Sequence, residues 1–577
     1  MWKLVRYLKD YKKESIIGPL FKMLEAFFEL LVPMVVADMV DRGISNGDRW
    51  HILRCTLILV LFGVLGLACS LTAQYFAAKA SVGFGTKLRD DMFAQINRFS
   101  YAELDRIGTS KLVTRITNDV NQVQTGVNMV LRLFLRSPFL VIGALVAAFR
   151  VNKKIALIFL VTTPILALVI YGIMVISIPM FAKVQKALDK ILLGTREGIR
   201  GGRVIRAFNR QADEVKEFDE DCDRLMKRSV GVGRISALMN PLTYVIVNLA
   251  IAAIIMQGGE QTDNGILTQG RVVALVNYMT QILNALVAMQ VLITSFTKAI
   301  ASAKRVNEVM DIVPLVQERE NVTEIQEKEK GTLAFSEVSF TYPGAGEEVL
   351  TQLSFRINPG ETVGIIGSIG SGKSTLANLC MRFYDVCDGA VFADGVDVRE
   401  YPLLQLRNKF GFVPQKAVLF AGSVRDNMKW GKEDATDEEI IRALKIAQAW
   451  DFIEKKEEGL SFELAQGGKN LSGGQKQRLT IARALVRNPE FLILDDSASA
   501  LDMATDAALR KALKKETAGM TVLMISQRVA TVQNADRILV LDDGKMVGLG
   551  SHSELLSSCE VYREICQSQH SEEEAAV

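Results

Sequence analysis

The chain has 577 residues, more than one compact domain normally holds, so at least two domains are expected. Apolar residues make up 49% of it, which favours a membrane protein. The formal net charge of +3 and the lack of a basic tail or stripe disfavour nucleic-acid binding. The 7 cysteines include no CxxC pair, which disfavours a disulfide or zinc scaffold.

Residues 1–13 are basic and aromatic, but the apolar core and cleavage site of a signal peptide do not follow them. The pattern predicts an amphipathic helix in the inner headgroup layer of a membrane, with Trp2 and Tyr7 at the interface. A solvated helix is the alternative.

Long apolar segments are concentrated before residue 310. Four uncharged stretches each exceed the roughly 20 residues that a helix needs to cross a bilayer. Two more candidates, 16–40 and 129–150, contain charged residues. Together they predict six spans, with buried helices of a large soluble core as the alternative. The uncharged stretches are 55–78, 155–182, 235–259 and 272–297.

The connections between the spans differ in length and charge. Those at 79–126 and 183–234 are long, and the first is rich in Lys and Arg, which predicts a cytoplasmic location. They are expected to continue the helices out of the membrane and to bend near 100–110 and 200–208. The short connections on the other side lie near 38–50, 150–154 and 260–270.

Two pairs of charged residues fall within candidate spans. Glu25 and Glu29 share one helix face, and Arg132 and Arg136 share another, because each pair is four residues apart. Charges at membrane depth normally pair or line a wet cavity. The pattern favours a structural Glu–Arg cluster between the first and third spans, and the alternative is an acidic wall for cationic substrates.

Strand and helix patterns alternate after a polar linker, as in an α/β nucleotide-binding domain. A strand-like run at 363–366 leads into a GxxxxGK[ST] motif. Its glycines allow backbone N–H groups to surround phosphates, Lys373 neutralises phosphate charge, and the Ser374 hydroxyl suits Mg²⁺. The ATP-binding residues predicted from this motif are Gly367, Ser368, Gly370, Ser371, Gly372, Lys373, Ser374 and Thr375.

Two further motifs follow in the second half. Asp495 ends the apolar run 491–494, as a Walker B carboxylate beside the metal does. Small residues precede a helical stretch at 476–486, where exposed backbone amides can bind another phosphate oxygen. These residues, which read LSGGQ, are Leu471, Ser472, Gly473, Gly474 and Gln475.

In this order, the motifs resemble those of the ABC transporter ATPase family. The resemblance implies that Gln415 is the Q-loop glutamine near the metal, that Tyr342 stacks on adenine, and that Asp502 belongs to the D-loop. It also implies a head-to-tail pair of ATPase domains, in which each ATP meets the P-loop of one chain and the LSGGQ of the other. The first 315 residues resemble the six-helix exporter domain, with coupling helices at the two bends.

The predicted fold is therefore an all-α six-helix transmembrane exporter domain followed by an α/β P-loop ABC ATPase domain. The expected boundaries are a transmembrane domain at 1–315, a linker at 316–330, a nucleotide-binding domain at 331–568 and an acidic tail at 569–577.

Two positions depart from the family pattern. Asp496 stands where the family has the catalytic glutamate, and Gln527 stands where it has the switch histidine. Aspartate is one methylene shorter, and a misplacement of about 1 Å can lower a rate on the order of 10²-fold. Glutamine cannot become cationic. The alternative is that aspartate works as a slower base.

These departures resemble heterodimeric bacterial exporters, including multidrug-exporter-like ones, in which one chain has a degenerate site. The expected function is ATP- and Mg²⁺-dependent export of a drug-like or amphipathic substrate across the cell membrane, together with a second, non-identical half-transporter. The expected partners thus also include membrane lipid but no nucleic acid. A lipid flippase, a peptide exporter and an ATP-gated channel or regulatory ABC protein remain alternatives.

Overall fold

The computed structural model describes residues 2–318, 325, 328–516 and 519–575, and it divides into two compact units. The first unit comprises Met1–Asn97 and Ser110–Ile312, and the second comprises Arg98–Thr109 and Val313–Val577. Parts of the predicted linker and the last two residues of the predicted tail lie outside the described residues.

The first unit is built from long helices joined by short turns. A 3₁₀ helix, Trp2–Tyr11, leads into α1, and π-helical turns at Met39–Ile44 and Arg115–Asp119 follow α1 and precede α5. The helices up to residue 312 are α1 (Lys12–Asp38), α2 (Arg49–Asn97), α3 (Tyr101–Ile107), α4 (Thr109–Thr114), α5 (Val120–Leu133), α6 (Arg136–Val151), α7 (Lys153–Arg200), α8 (Gly202–Ala207), α9 (Gln211–Ala237), α10 (Met239–Asp263) and α11 (Gln269–Met310).

Five helical segments of the described chain are long and apolar enough to cross a membrane. Their outer faces carry exposed apolar side chains, such as Leu57 and Leu61 of α2, which suit a lipid environment because intrahelical bonds satisfy the backbone. The prediction of six spans needs α1 as well. Because α1 carries Lys22, Glu25 and Glu29, it falls outside this set, and the sixth span stays a prediction.

The N-terminal segment packs on its own unit. Leu4 and Tyr7 are buried, and the Tyr7 ring meets Phe84 of α2 edge-on at 6.1 Å between centroids. The predicted helix is thus present as the 3₁₀ turn, but Tyr7 points into protein and not toward the predicted headgroup layer, because Phe84 offers it a dry aromatic surface.

The charged residues of the membrane unit form separate pairs. Arg136 donates to Glu29 at 2.8 Å, whereas Glu25 accepts from Lys22 at 2.6 Å within α1. Arg132 donates to Gln74 at 3.4 Å. The structure therefore brings together one Glu and one Arg of the predicted cluster, and the sequence reasoning missed Lys22 as the partner of Glu25. Lys22 lies three residues before Glu25, so the two side chains meet on one face of α1.

The second unit is α/β. Its further helices are α12 (Lys373–Cys380), α13 (Leu403–Lys409), α14 (Val424–Lys429), α15 (Asp437–Ile446), α16 (Trp450–Ile453), α17 (Gly473–Val486), α18 (Met503–Glu516), α19 (Val529–Val532), α20 (His552–Ser558) and α21 (Glu560–Ala575). Its strands are β1 (Leu333–Phe340), β2 (Leu350–Ile357), β3 (Thr362–Gly367), β4 (Asp388–Ala393), β5 (Val396–Asp397), β6 (Phe410–Val413), β7 (Gly422–Ser423), β8 (Glu463–Leu464), β9 (Phe491–Asp495), β10 (Thr521–Ile525), β11 (Arg537–Asp542) and β12 (Lys545–Gly550).

The strands form three sheets. The largest has the order β12-β11-β3-β10-β9-β6, and its pairs are parallel except β11 with β12. The second is antiparallel, with the order β2-β1-β4-β5, and β7 pairs with β8. In the parallel sheet, the carboxyl ends of β3, β9 and β10 share one edge, where ligands of open α/β sheets bind.

Residues 98–109 belong to the second unit, although the predicted membrane domain contained them. The Tyr101 ring of α3 lies 4.5 Å from Phe383 between centroids, and Asp105 accepts a hydrogen bond from the Tyr384 hydroxyl at 2.5 Å. Ala102 is buried in the same core. These contacts hold α3, at the first predicted bend, in the second unit, while α8 occupies the second predicted bend.

Phe491 offers a test of the core of the second unit, because it is fully buried and stacks on Phe410 at 4.8 Å between ring centroids. We expect Phe491→Ala to lower the free energy of unfolding of this unit by about 3–5 kcal/mol, since it removes apolar contacts and leaves a cavity. Urea denaturation of the full chain in detergent, followed by tryptophan fluorescence, measures the change. Leu404→Ala is the control, because Leu404 is 73% exposed; equal effects of the two substitutions contradict the assigned core.

Candidate nucleotide-binding site

The register of the parallel strands brings three loops together. Ile525 at the end of β10 lies opposite both Asp495 of β9 and Ile365 of β3. The loops that follow these strands therefore surround one cavity of about 390 Å³. It is lined by Tyr342, Val349, Ile369, Gly370, Gly372, Lys373, Ser374, Thr375, Gln415, Asp495, Asp496, Ile525, Ser526 and Gln527.

The loop between β3 and α12 requires glycine at defined positions. Gly370 and Gly372 have φ of 89° and 90°, in the left-handed region that favours glycine. A Cβ at Gly372 would lie 2.4 Å from Leu350 Cδ2 and 2.9 Å from the Val349 carbonyl oxygen. The loop thus presents bare backbone at the N-terminus of α12, where N–H groups can bind an anion.

Lys373 begins α12 and folds back onto this loop. Its ammonium donates to the carbonyl oxygens of Gly367 at 3.0 Å and Ser368 at 2.6 Å. Burial lowers the pKa of Lys373, and the nearby Asp496 and Asp495 partly offset that effect. The Ser371 hydroxyl also accepts from this ammonium, at 3.3 Å. A largely buried cation that neutral oxygens hold can transfer its hydrogen bonds to a phosphate without a competing carboxylate contact.

Ser374 and Asp495 form an oxygen pair beside the lysine. The Ser374 hydroxyl donates to Asp495 Oδ1 at 3.0 Å. Burial is the main reason that the pKa of Asp495 is raised, and the charge of Asp496 adds to it. A hydroxyl and a carboxylate at this distance are the hard oxygen donors that Mg²⁺ prefers, so these residues fit such an ion.

Asp496 and Gln415 lie on the same wall of the cavity. The Gln415 amide donates to Asp496 Oδ2 at 3.4 Å, and the Asp496 N–H donates to the Ile525 carbonyl at 2.9 Å. Asp496 has a φ of 44°, a backbone conformation that is uncommon outside glycine and concentrates at functional sites. Gln527 lines the cavity from the loop after β10.

Tyr342 connects the cavity to α3. Its hydroxyl lies 3.0 Å from Thr375 Oγ1, and its ring meets that of Tyr384 edge-on at 5.2 Å between centroids. Burial and the hydrogen bond to Asp105 raise the pKa of Tyr384, so it remains a neutral donor. A continuous set of contacts therefore runs from Asp105 to the P-loop helix.

The LSGGQ residues lie elsewhere, since the described lining of the cavity includes none of them. They start α17, where Ser472 and Gln475 form a capping box: the Gln475 N–H donates to Ser472 Oγ at 3.3 Å, and Gln475 Oε1 accepts from the Ser472 N–H at 2.9 Å. Leu471 is buried, whereas Gly473 is exposed and a Cβ built there meets no described atom within 4 Å. Gly474 packs against the Ala500 carbonyl.

The predicted D-loop residue has a local structural role. Asp502 accepts from the Thr505 N–H at 2.9 Å and from its hydroxyl at 2.8 Å, and these bonds lower the pKa of Asp502. It therefore caps the first turn of α18.

Several residues of the site were not among the predicted site residues. Val349 and Ser526 line the cavity, and Asp542 accepts from the Ser368 hydroxyl at 3.1 Å. A partial signal existed for Asp542, because it ends an apolar strand, β11, that pairs with β3. Val349 precedes β2, and its position follows only from tertiary packing.

A helical unit with membrane-crossing segments followed by a P-loop α/β unit is the organisation of a membrane transport ATPase. Two family models match the chain: the ABC transporter transmembrane region over residues 15–286 and ABC transporter over 350–499. An uncharacterized ABC transporter ATP-binding protein of Bacillus subtilis, YfiB, is 38% identical over 573 residues, with 99% of each chain covered. The chain therefore belongs to the ABC transporter family.

Other similar proteins agree with this assignment. An ATP-dependent lipid A-core flippase of Desulfotalea psychrophila is 33% identical over 526 residues, which cover 90% of this chain and 91% of the flippase. The structure of a bacterial Atm1-family ABC exporter with ATP bound shares the fold, with a TM-score of 0.80, 24% identity and coverage of 96% of this chain and 98% of that one. The chain is a multi-pass membrane protein with a C-terminal ABC-type transport ATPase domain.

The glycine requirement at position 372 can be tested by ATP binding. A non-glycine residue with left-handed φ costs about 1–2 kcal/mol, and the clash with Leu350 adds to this cost, so we expect Gly372→Ala to weaken ATP binding about tenfold or more. Titration of the full chain with a fluorescent ATP analogue measures the affinity. Gly346→Ala is the matched control, since a Cβ there meets no described atom within 4 Å. Unchanged affinity of Gly372→Ala contradicts the proposed loop function.

Proposed function

We propose that this chain is one subunit of a heterodimeric ATP-driven exporter and that its own ATP site is degenerate. The observation that carries the proposal is the pair Asp496 and Gln527 in the cavity, at the positions where the family has glutamate and histidine. The chain binds ATP at this site, turns it over slowly, and contributes LSGGQ to the hydrolytic site of a different subunit.

The cavity has the groups to hold ATP and a metal ion. The loop from Gly367 to Gly372 and the Lys373 ammonium hold phosphates, and Tyr342 holds the adenine. Ser374, Asp495 and Gln415 hold Mg²⁺, which neutralises phosphate charge when bound. The solved relative with ATP bound has the same fold, and this likeness supports the assignment of ATP as the ligand.

This site is poorly equipped to activate the water molecule that attacks the γ-phosphate of ATP. Asp496 has a shorter side chain than glutamate, and its Oδ2 accepts from Gln415. Of the 3 histidines, His51 belongs to the first unit and the His552 ring lies 2.7 Å from the Tyr562 hydroxyl, while the His570 side chain lies outside the described part of the chain. General base catalysis contributes about 10²–10⁴-fold, so its impairment makes ATP long-lived at this site.

The intact LSGGQ supports a second role. Exposed amides at the start of α17, with no bulky side chain at Gly473, form a phosphate-binding surface at a helix N-terminus. The described cavity of the same chain does not include these residues. In the head-to-tail pair that the family resemblance implies, this surface serves the ATP of the partner subunit.

The asymmetry of the two sites is testable by mutation of each in the purified two-chain complex. We expect Asp496→Asn to leave most of the ATPase rate intact, whereas Glu→Gln at the partner's catalytic position lowers it on the order of 10²-fold or more. Steady-state phosphate release measures both rates.

Equal and complete loss of ATPase activity in the two variants excludes the asymmetric model. So does a chain that, purified alone, forms symmetric pairs with brisk ATP hydrolysis and solute transport. In either case the alternative holds, in which Asp496 is an adequate base.

For the substrate we propose a drug-like or other amphipathic compound, because the pair Asp496 and Gln527 resembles the degenerate site of heterodimeric, multidrug-exporter-like transporters. A lipid is the second candidate, and the similarity to lipid A-core flippases favours it.

Inverted vesicles that contain the two-chain complex distinguish these functions. We expect ATP-dependent accumulation of a fluorescent amphipathic dye against its gradient, and transfer of a labelled lipid between leaflets without dye uptake supports the flippase instead. Flux only down the gradient contradicts a pump and indicates a channel. Vesicles with Lys373→Ala in this chain and the corresponding substitution in its partner are the control.

A further inference from the structure

The ends of α1 and α2 bring together three side chains that are typical metal ligands. His51 Nε2 lies 2.9 Å from Asp38 Oδ2, and Cys55 Sγ lies 3.9 Å from the same oxygen. The three ligand atoms all lie within 4.8 Å of one another. The cluster is distinct from the nucleotide-binding cavity and belongs wholly to the first unit.

The local structure explains why these side chains converge. His51 and Cys55 are four residues apart in α2 and so share one face of the helix. Asp38 is the last residue of α1, the π-helical turn Met39–Ile44 extends this helix, and a short turn at 45–48 then returns the chain toward α2. Gly43 in this turn permits the close approach, because a Cβ there would lie 2.7 Å from Ile52 Cγ1.

The Asp38 carboxylate divides its oxygens between two environments. Oδ1 faces Arg42, whose Nε lies 3.2 Å away, and Oδ2 faces His51 and Cys55. Arg42 therefore holds the carboxylate in place and leaves Oδ2 for a ligand. This is the outer-shell support that metal-binding carboxylates commonly have.

The burial of the three side chains and their access to solvent also suit an ion-binding site. Cys55 is 3% exposed, whereas the side chains of His51 and Asp38 are 23% and 41% exposed. The thiol thus closes the inner side of the cluster, and the other two ligands leave a route for an ion from solvent. The short connection at 38–50 lies on the side of the membrane that the sequence predicts to be external.

We propose that Asp38, His51 and Cys55 form a binding site for a divalent transition-metal ion of the Zn²⁺ class. Zinc bonds of about 2.0–2.3 Å to oxygen, nitrogen and sulfur place tetrahedral ligand atoms about 3.5 Å apart. The distances of 2.9 Å and 3.9 Å from Asp38 Oδ2 to His51 Nε2 and Cys55 Sγ lie on either side of this value. A thiolate and an imidazole select zinc-like ions over Mg²⁺ or Ca²⁺. Three protein ligands leave the fourth position for water, and the bound ion joins α1 to α2.

Cobalt is the probe for this site, because a thiolate bound to Co²⁺ produces a charge-transfer absorption band. We expect the full chain in detergent to bind one Co²⁺ with this band and to release it on addition of Zn²⁺. Cys55→Ser removes the band, and His51→Gln weakens Co²⁺ binding at least about tenfold. Cys69→Ser is the matched control, because Cys69 is a buried cysteine of the same helix, and it leaves binding unchanged.

Binding also depends on pH, because the thiol and the imidazole must lose their protons to bind the ion. Affinity is therefore expected to fall as the pH is lowered. A second measurement does not depend on whether the Cys55 and His51 variants fold. Zn²⁺ is expected to raise the thermal unfolding temperature of the wild-type chain and of Cys69→Ser. Failure of the wild-type chain to show the thiolate band, or full retention of it in folded Cys55→Ser, overturns the proposal.

Discussion

The in-register parallel pairing of β10 with both β3 and β9 is the constraint on which the catalytic half depends. Because Ile525 lies opposite Asp495 on one side and Ile365 on the other, β9 and β10 end at one level and β3 ends two residues later, at Gly367. Backbone hydrogen bonds between buried strands hold this level, and a shift by one residue would turn each side chain to the other face. The P-loop, the two aspartates and Gln527 therefore meet at one cavity although long stretches of chain separate them.

The charged side chains of the cavity lack full compensation by opposite charges. This arrangement suits a site that binds an anion together with a metal ion. Lys373 is largely buried and contacts neutral carbonyls, while Asp495 and Asp496 lie side by side. Burial disfavours the charged form of both Lys373 and Asp495, as their shifted pKa values show. Polyphosphate and Mg²⁺ together would supply the missing opposite charges.

The contacts between Asp105, Tyr384 and Tyr342 give α3 a physical connection to that cavity. The hydrogen bond from Tyr384 to Asp105 is part-buried, and the edge-on ring pair of Tyr342 and Tyr384 packs against the hydrophobic core of the second unit. Tyr342 therefore connects, through Tyr384, with α3, which precedes the membrane-crossing segment Thr109–Val151 in the chain.

Local spacing and segment length were enough to identify the family, the P-loop motif, the Walker B aspartate and the apolar segments from the amino-acid sequence. The same motifs showed that Asp496 and Gln527 differ from the family pattern, because a motif specifies the residue type expected at each position. Tertiary packing, in contrast, pairs Glu29 with Arg136 and Glu25 with Lys22, and it assigns α3 to the second unit. Likewise, composition disfavoured a zinc scaffold, yet Asp38 lies close to His51 and Cys55 of the next helix. Such meetings depend on how helices pack, and helix packing is set by many weak contacts between segments distant in the chain, which no local pattern records.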